Sequence, residues 1–149
     1  MAVSDQWFEE DTPIFVHPKD PFKRVDLLSS TRPIKVVIDG KVVAESAFSI
    51  HLYETSLPAR FYLPFTSIDT STLRPSDTRT QCPYKGEALY HNVVVNGKEY
   101  KDIVWYYSRP TVESAAIAGL RCFYNEKVDI WLQENGQWVK QERPKTHFA

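Results

Sequence analysis

Ile34-Lys35-Val36-Val37-Ile38-Asp39-Gly40-Lys41-Val42-Val43-Ala44 is the stretch that decides the fold class. Two β-branched runs flank Asp39-Gly40, and Asp-Gly supplies the positive φ angles of a type I′ turn, so the segment reads as a two-residue hairpin. The signal returns at Asn96-Gly97, between residues 87–95 and 99–107, and Asn135-Gly136 turns the chain once more toward Trp138. Residues 120–124 and 128–132, on either side of Asn125-Glu126-Lys127, read as a further hairpin.

Between these signals, residues 46–54 set Phe48, Ile50 and Leu52 in alternation with Ser49, His51 and Tyr53, the period of two of a half-buried strand. Residues 60–63 add a short strand stopped by Pro64. Residues 66–79, rich in Ser, Thr and Asp, read as a surface excursion with one turn of helix. Residues 112–118 are the helical piece: Thr111 stands at the N-cap, the run is alanine-rich and Gly119 ends it. Ten prolines cut the 149 residues into short segments, which favours strands over long helices. The expectation is a mainly β fold: a small curled sheet or barrel-like β-mantle built from hairpins, with one short helix near 112–118 and a pocket at the open mouth. Length and a hydrophobic content of 42% fit a single domain over 1–149, with its core at about 13–139 and less ordered ends; residues 140–149 are expected to fray.

Composition excludes several function classes. With 18 basic and 19 acidic residues, the chain has no global field to attract nucleic acid or an anionic membrane. No apolar run approaches the roughly 18 residues of a spanning helix. Asp5, Glu9, Glu10 and Asp11 replace the cationic start of a secretory signal, so a cytosolic location is expected, which leaves the nucleus open as well. Cys82 and Cys122 are too few for a disulfide scaffold or a four-thiolate zinc site. His17, His51, His91 and His147 lie far apart, at no metal-ligand spacing, so no metal site is assigned and the cofactor is unknown. There is no Ser-His-Asp order, phosphate loop or dinucleotide fingerprint.

Thr80-Gln81-Cys82-Pro83-Tyr84-Lys85-Gly86-Glu87-Ala88-Leu89-Tyr90 resembles the signature of the domain-of-unknown-function family 427, sometimes labelled nucleotidyltransferase-like. Tyr53-Glu54 before Leu57-Pro58, Arg60-Phe61-Tyr62-Leu63-Pro64, Trp105-Tyr106-Tyr107 before Pro110, and Phe123-Tyr124 before Val128-Asp129 extend the resemblance over roughly residues 24–131. It implies a small barrel-like or mantle fold with the signature residues around one cleft, and no established activity. Gln81 stands where the family pattern more often has histidine, and Arg109 where an acidic residue is more usual. Nucleotidyl transfer needs carboxylates that hold divalent metal beside the phosphates, and no closely spaced Asp pair with a glycine-rich loop is present.

Three groups of residues could carry chemistry. Cys82, near Lys85, would gain thiolate character and serve as a nucleophile; as a small buried hydrophobe it would do neither. Glu54 closes a largely apolar strand, where burial would demand an ion pair with Arg60 or Lys85; it is either a general base or the pin of a corner. Trp105 and Tyr107 share one side of their strand and Tyr106 takes the other, as strand geometry requires. Aromatic residues with polar tips, here Tyr53, Tyr62, Tyr84, Tyr90, Trp105, Tyr107 and Tyr124, suit a pocket for a flat ligand, and equally suit cross-strand packing. The leading reading is a small-molecule-binding β domain in which Glu54, Arg60, Lys85 and the tyrosines converge on an aromatic-lined cleft. One alternative is an enzyme with Cys82 or Glu54 as nucleophile or base and Lys85 or Arg60 stabilising negative charge. The other is an interaction module that forms a homodimer through strand edges or an aromatic face.

Overall fold

The computed structural model describes residues 5–9, 12–17 and 20–145, with side chains from Arg24 to Lys145. The strands, in chain order, are β1 (Asp5–Glu9), β2 (Thr12–His17), β3 (Asp20–Ser30), β4 (Ile34–Ile38), β5 (Lys41–Ser46), β6 (Ser49–Glu54), β7 (Arg60–Leu63), β8 (Leu73–Cys82), β9 (Gly86–Val95), β10 (Lys98–Tyr106), β11 (Arg121–Phe123), β12 (Asp129–Glu134) and β13 (Gln137–Lys140). They form two antiparallel sheets, one of nine strands in the order β1-β2-β3-β6-β7-β11-β10-β9-β8 and one of four in the order β13-β12-β4-β5. The protein is mainly β, as its hairpin signals predict, and the curled sheets do not close into a barrel among the described residues.

The turns follow their residue chemistry. Asp39-Gly40, Asn96-Gly97 and Asn135-Gly136 all take positive φ, from 48° to 77°, and each joins neighbouring antiparallel strands. In β4 the side chains alternate between buried and half-buried, so Ile34, Val36 and Ile38 face the second sheet's partner. They pack with Ile130 and Leu132 of β12 against Phe61, Leu63, Val93, Val95, Val104 and Phe123 of the larger sheet. This is the core between the sheets. The next residues along the same large-sheet strands point the other way. Leu52, Tyr62, Ala88, Trp105, Tyr107 and Cys122 thus form a second cluster on the opposite face, covered by Ile117.

Several expectations are corrected. Residues 66–79 are not wholly a surface excursion: after 3-10 turns at Phe65–Ser67 and Thr70–Thr72, the chain enters β8, the edge strand of the large sheet. An edge strand tolerates the exposed Ser, Thr, Asp and Arg side chains that mimic a loop in sequence. The expected hairpin across Asn125-Glu126-Lys127 does not form. β11 pairs with β7 and β10, whereas β12 pairs with β4 and β13, so this turn carries the chain from one sheet to the other. β6 is buried on both faces over most of its length: Ser49, His51 and Glu54 are buried along with Ile50 and Leu52, and Phe48 lies before the strand, partly exposed.

The short helix is present at Val112–Ile117 as a 3-10 helix, interrupted at Ser114. Thr111 precedes it without a side-chain cap; its hydroxyl donates instead to the Tyr84 carbonyl. Gly119 follows with φ of +73°. Within the expected fraying region, Gln141 donates its backbone N–H to the Ile130 carbonyl and Arg143 bonds Asp129 at 2.9 Å. The remainder of that tail, from residue 146, and the side chain of His17 lie outside the described residues, as does His147.

Candidate functional site

The signature segment is a turn docked on a turn. β8 ends at Cys82, β9 begins at Gly86, and Lys85 N–H donates to the Cys82 carbonyl at 3.2 Å to close the reversal between them. The 3-10 segment holds it from outside: Thr111 N–H donates to the Lys85 carbonyl at 3.0 Å, and the Ser114 hydroxyl to the Tyr84 carbonyl at 3.3 Å. Gly86 adopts φ of +106°, and a Cβ there would stand 3.2 Å from the Arg109 carbonyl oxygen. Only glycine fits both demands. Fixed this way, Lys85 runs inward, 8% exposed, and its Nζ meets Glu54 Oε1 at 2.6 Å.

Glu54, equally buried, ends β6, and Arg60 opens β7 after a corner that Leu57 N–H closes on the Glu54 carbonyl. Of the two ion pairs open to Glu54 in sequence, the one with Lys85 forms. The Arg60 guanidinium instead grips Glu126 with two nitrogens and donates to Asn125 Oδ1 at 2.6 Å. It lies over the rings of Trp105 and Tyr124, 5.1 and 5.5 Å from their centroids. Burial alone would raise the Glu126 carboxyl; the hydrogen bonds and charge of Arg60 outweigh it and hold that carboxyl below its ordinary value.

The aromatic walls are ordered by their polar tips. Trp105 Nε1 donates to Tyr62 Oη at 3.0 Å, Trp105 meets Tyr124 edge to face at 4.9 Å, and the Tyr90 and Thr80 hydroxyls lie 2.8 Å apart. Burial pushes the Tyr62, Tyr107 and Tyr124 phenols up, so all three remain protonated donors over the ordinary pH range. Burial likewise pushes the Cys122 thiol up to about 12, behind the floor of the site, while Cys82 is half-buried at its rim.

Together these residues enclose a cavity of about 190 Å³ lined by Leu52, Glu54, Leu57, Pro58, Arg60, Tyr62, Cys82, Lys85, Tyr90, Trp105, Tyr107 and Tyr124. Most of the residues singled out in sequence therefore meet here. Two do not: Tyr53 points to the other side of β6 and is exposed, and Tyr84, half-buried, packs against the cleft-side apolar cluster without lining the cavity. His91 is also remote, stacked on Tyr106 across the sheet. Sequence reading missed Glu126 and Asn125, which it took for plain turn residues; 66 and 65 positions separate them from Arg60, and no local pattern announces the contact. No three His, Cys, Asp or Glu side chains among the described residues gather as metal ligands.

No curated protein matches the chain. A family model does: the domain of unknown function DUF427 matches residues 26–134, so the chain belongs to that family.

Proposed function

We propose that the protein binds a small, flat organic molecule of no net charge in the cleft between Glu54, Lys85 and the Trp105–Tyr124 wall. The reading rests above all on the cavity's size and lining. About 190 Å³ is available, and an engineered apolar cavity of about 150 Å³ accommodates benzene, so a single ring with a small polar substituent fits. Aromatic faces at the walls favour a planar partner. Both cations at the site are already neutralised, Lys85 by Glu54 and Arg60 by Glu126, which leaves little net charge to hold a nucleotide's phosphates. Hydrogen-bonding capacity remains in the second Glu54 oxygen, the other Lys85 ammonium protons and the Tyr107 phenol, enough to orient a ring that carries a donor and an acceptor.

Native mass spectrometry of the purified protein, before and after denaturation, tests this directly. A co-purified compound of single-ring size, lost from Trp105→Ala, is the expected result. A chain that emerges empty, and that shows no Trp fluorescence change with a library of single-ring compounds, would remove the reading. The position of Cys82 on the cavity wall supports an enzymatic variant of the same site. Cys82→Ser separates the two: binding survives under the first, and turnover is lost under the second. A cytosolic setting belongs to this proposal, since it keeps the free thiols Cys82 and Cys122 reduced. No helix of the described residues is long and apolar enough to cross a membrane.

A further inference from the structure

On the face of the large sheet opposite the cleft, Arg121 is held in an unusual way. Its guanidinium carbon lies 3.7 Å from the Tyr106 ring centroid and 4.4 Å from that of Phe65, so the group is sandwiched between two aromatic faces. Nη1 donates to the Gly119 carbonyl, and Nη2 approaches His91 Nε2 at 3.4 Å. Among the described residues, Arg121 Nε is the buried side-chain polar atom left without any hydrogen-bond partner, and no carboxylate lies within ion-pair distance of Arg121. Partly buried charges ordinarily carry a counterion, and an unpaired buried polar atom calls for a reason. Lys85 and Arg60 obey that rule, each with a carboxylate, whereas Arg121 has aromatic faces and a carbonyl in place of one.

We propose that Phe65, His91, Tyr106 and Arg121 form a second binding site, specific for a carboxylate carried on an apolar group. The guanidinium charge is unneutralised, and Arg121 Nη2 retains a second proton beyond the one that approaches His91 Nε2, a charged donor for an oxygen of a carboxylate. Inorganic phosphate has no apolar body for Phe65 to hold. The aromatic sandwich fixes the guanidinium beforehand, so little side-chain freedom is lost on binding. Phe65, 40% exposed, offers the apolar body of the ligand a surface beside the charged end. The site is independent of the cleft, because Arg121 and Cys122 are successive residues of β11 and face opposite sides of the sheet.

The test follows the Arg121 Nε–H and His91 ring resonances of the full chain in proton–nitrogen correlation spectra during titration with sodium benzoate, sodium acetate and blocked glutamate. Sodium chloride at matched ionic strength and inorganic phosphate are the controls. Saturable shifts of both side chains with millimolar affinity are expected from carboxylates, several-fold tighter for benzoate than for acetate. Phe65→Ala should erase the advantage of benzoate, and Arg121→Gln should abolish the saturable His91 shift while the backbone spectrum stays folded. Should Arg121→Gln unfold, His91→Gln keeps the Arg121 readout and should weaken binding. Benzoate binding alone assigns the carboxylate to a free organic acid; equal binding of blocked glutamate assigns it to an acidic side chain of a peptide. Shifts that track ionic strength only, that phosphate reproduces at equal affinity, or that persist in Arg121→Gln overturn the proposal.

Discussion

Glu54 and Lys85 meet at 2.6 Å with side chains 5% and 10% exposed, so each charge is largely shielded from bulk water and depends on the other. Removing one partner strands the other. Glu54→Gln is therefore expected to lower unfolding stability by about 3–5 kcal/mol, while the paired change Glu54→Leu with Lys85→Met should restore most of that loss. Urea denaturation of the single and double variants gives both values; additive losses would mean the two side chains do not form one unit. The Arg60–Glu126 pair makes a different prediction, in pH. The Glu126 carboxyl lies below its ordinary value of 4.5 in the folded chain. A depressed folded pKa contributes stability that is present above the unfolded value and lost as pH falls through the folded one. The stability gap between the wild type and Arg60→Met should thus be constant at neutral pH and shrink below pH 4.5, as denaturant midpoints across a pH series will show. The cysteines divide more simply. With the Cys122 thiol pushed to about 12 by burial, its thiolate fraction at pH 8 is on the order of one in ten thousand. Iodoacetamide on the native protein should modify Cys82 and spare Cys122, and peptide mass mapping after a short exposure reads the outcome.

At the scale of the element, the signature turn and the simple hairpins differ in what they ask of glycine. Gly97 needs positive φ but has open space where a Cβ would go, so Gly97→Ala should cost about 1 kcal/mol. Gly86 combines φ of +106°, outside the left-handed well, with the Arg109 carbonyl at 3.2 Å from a built Cβ. Gly86→Ala should cost about 2–3 kcal/mol, and it should also weaken ligand binding, since Lys85 hangs from the same turn. Equal shifts in melting temperature for the two variants would show that the docked 3-10 segment does not constrain the turn. The contrast marks what was legible in sequence. Asp39-Gly40, Asn96-Gly97 and Asn135-Gly136 announce themselves because two adjacent residues settle the turn geometry. The side of β10 that faces the cleft was equally readable, since strand alternation places Trp105 and Tyr107 together. β8 was not, because an edge strand with one solvated face carries the polar composition of a loop. The crossover at Asn125–Lys127 was also hidden: β11 and β12 look like hairpin partners, and only the packing of Cys122 beside Tyr62 and Trp105 assigns β11 to the larger sheet.

The whole molecule ties its cleft to its inter-sheet core through that crossover. Arg60 lines the cavity and also grips Glu126 in the connection between the sheets, and Tyr124, on the cavity wall, packs against both apolar clusters. An arrangement in which the site and the sheet junction share residues cannot lose one sheet and keep the other intact. The chain should therefore unfold as one cooperative domain, as its length also favours. Tryptophan provides separate reporters, because Trp105 sits in the large sheet and Trp131 in the small one. Variants that retain one of these two as their sole tryptophan, the others being replaced by phenylalanine, should show urea transitions whose fluorescence and far-ultraviolet dichroism coincide within each protein. A Trp131 signal that changes before the dichroism would mean that the four-stranded sheet opens on its own. Coincidence in both would make Arg60 and Tyr124 structural as well as ligand-facing, and a ligand in the cleft should then raise the midpoint reported from either sheet, by an amount that grows with the logarithm of its concentration.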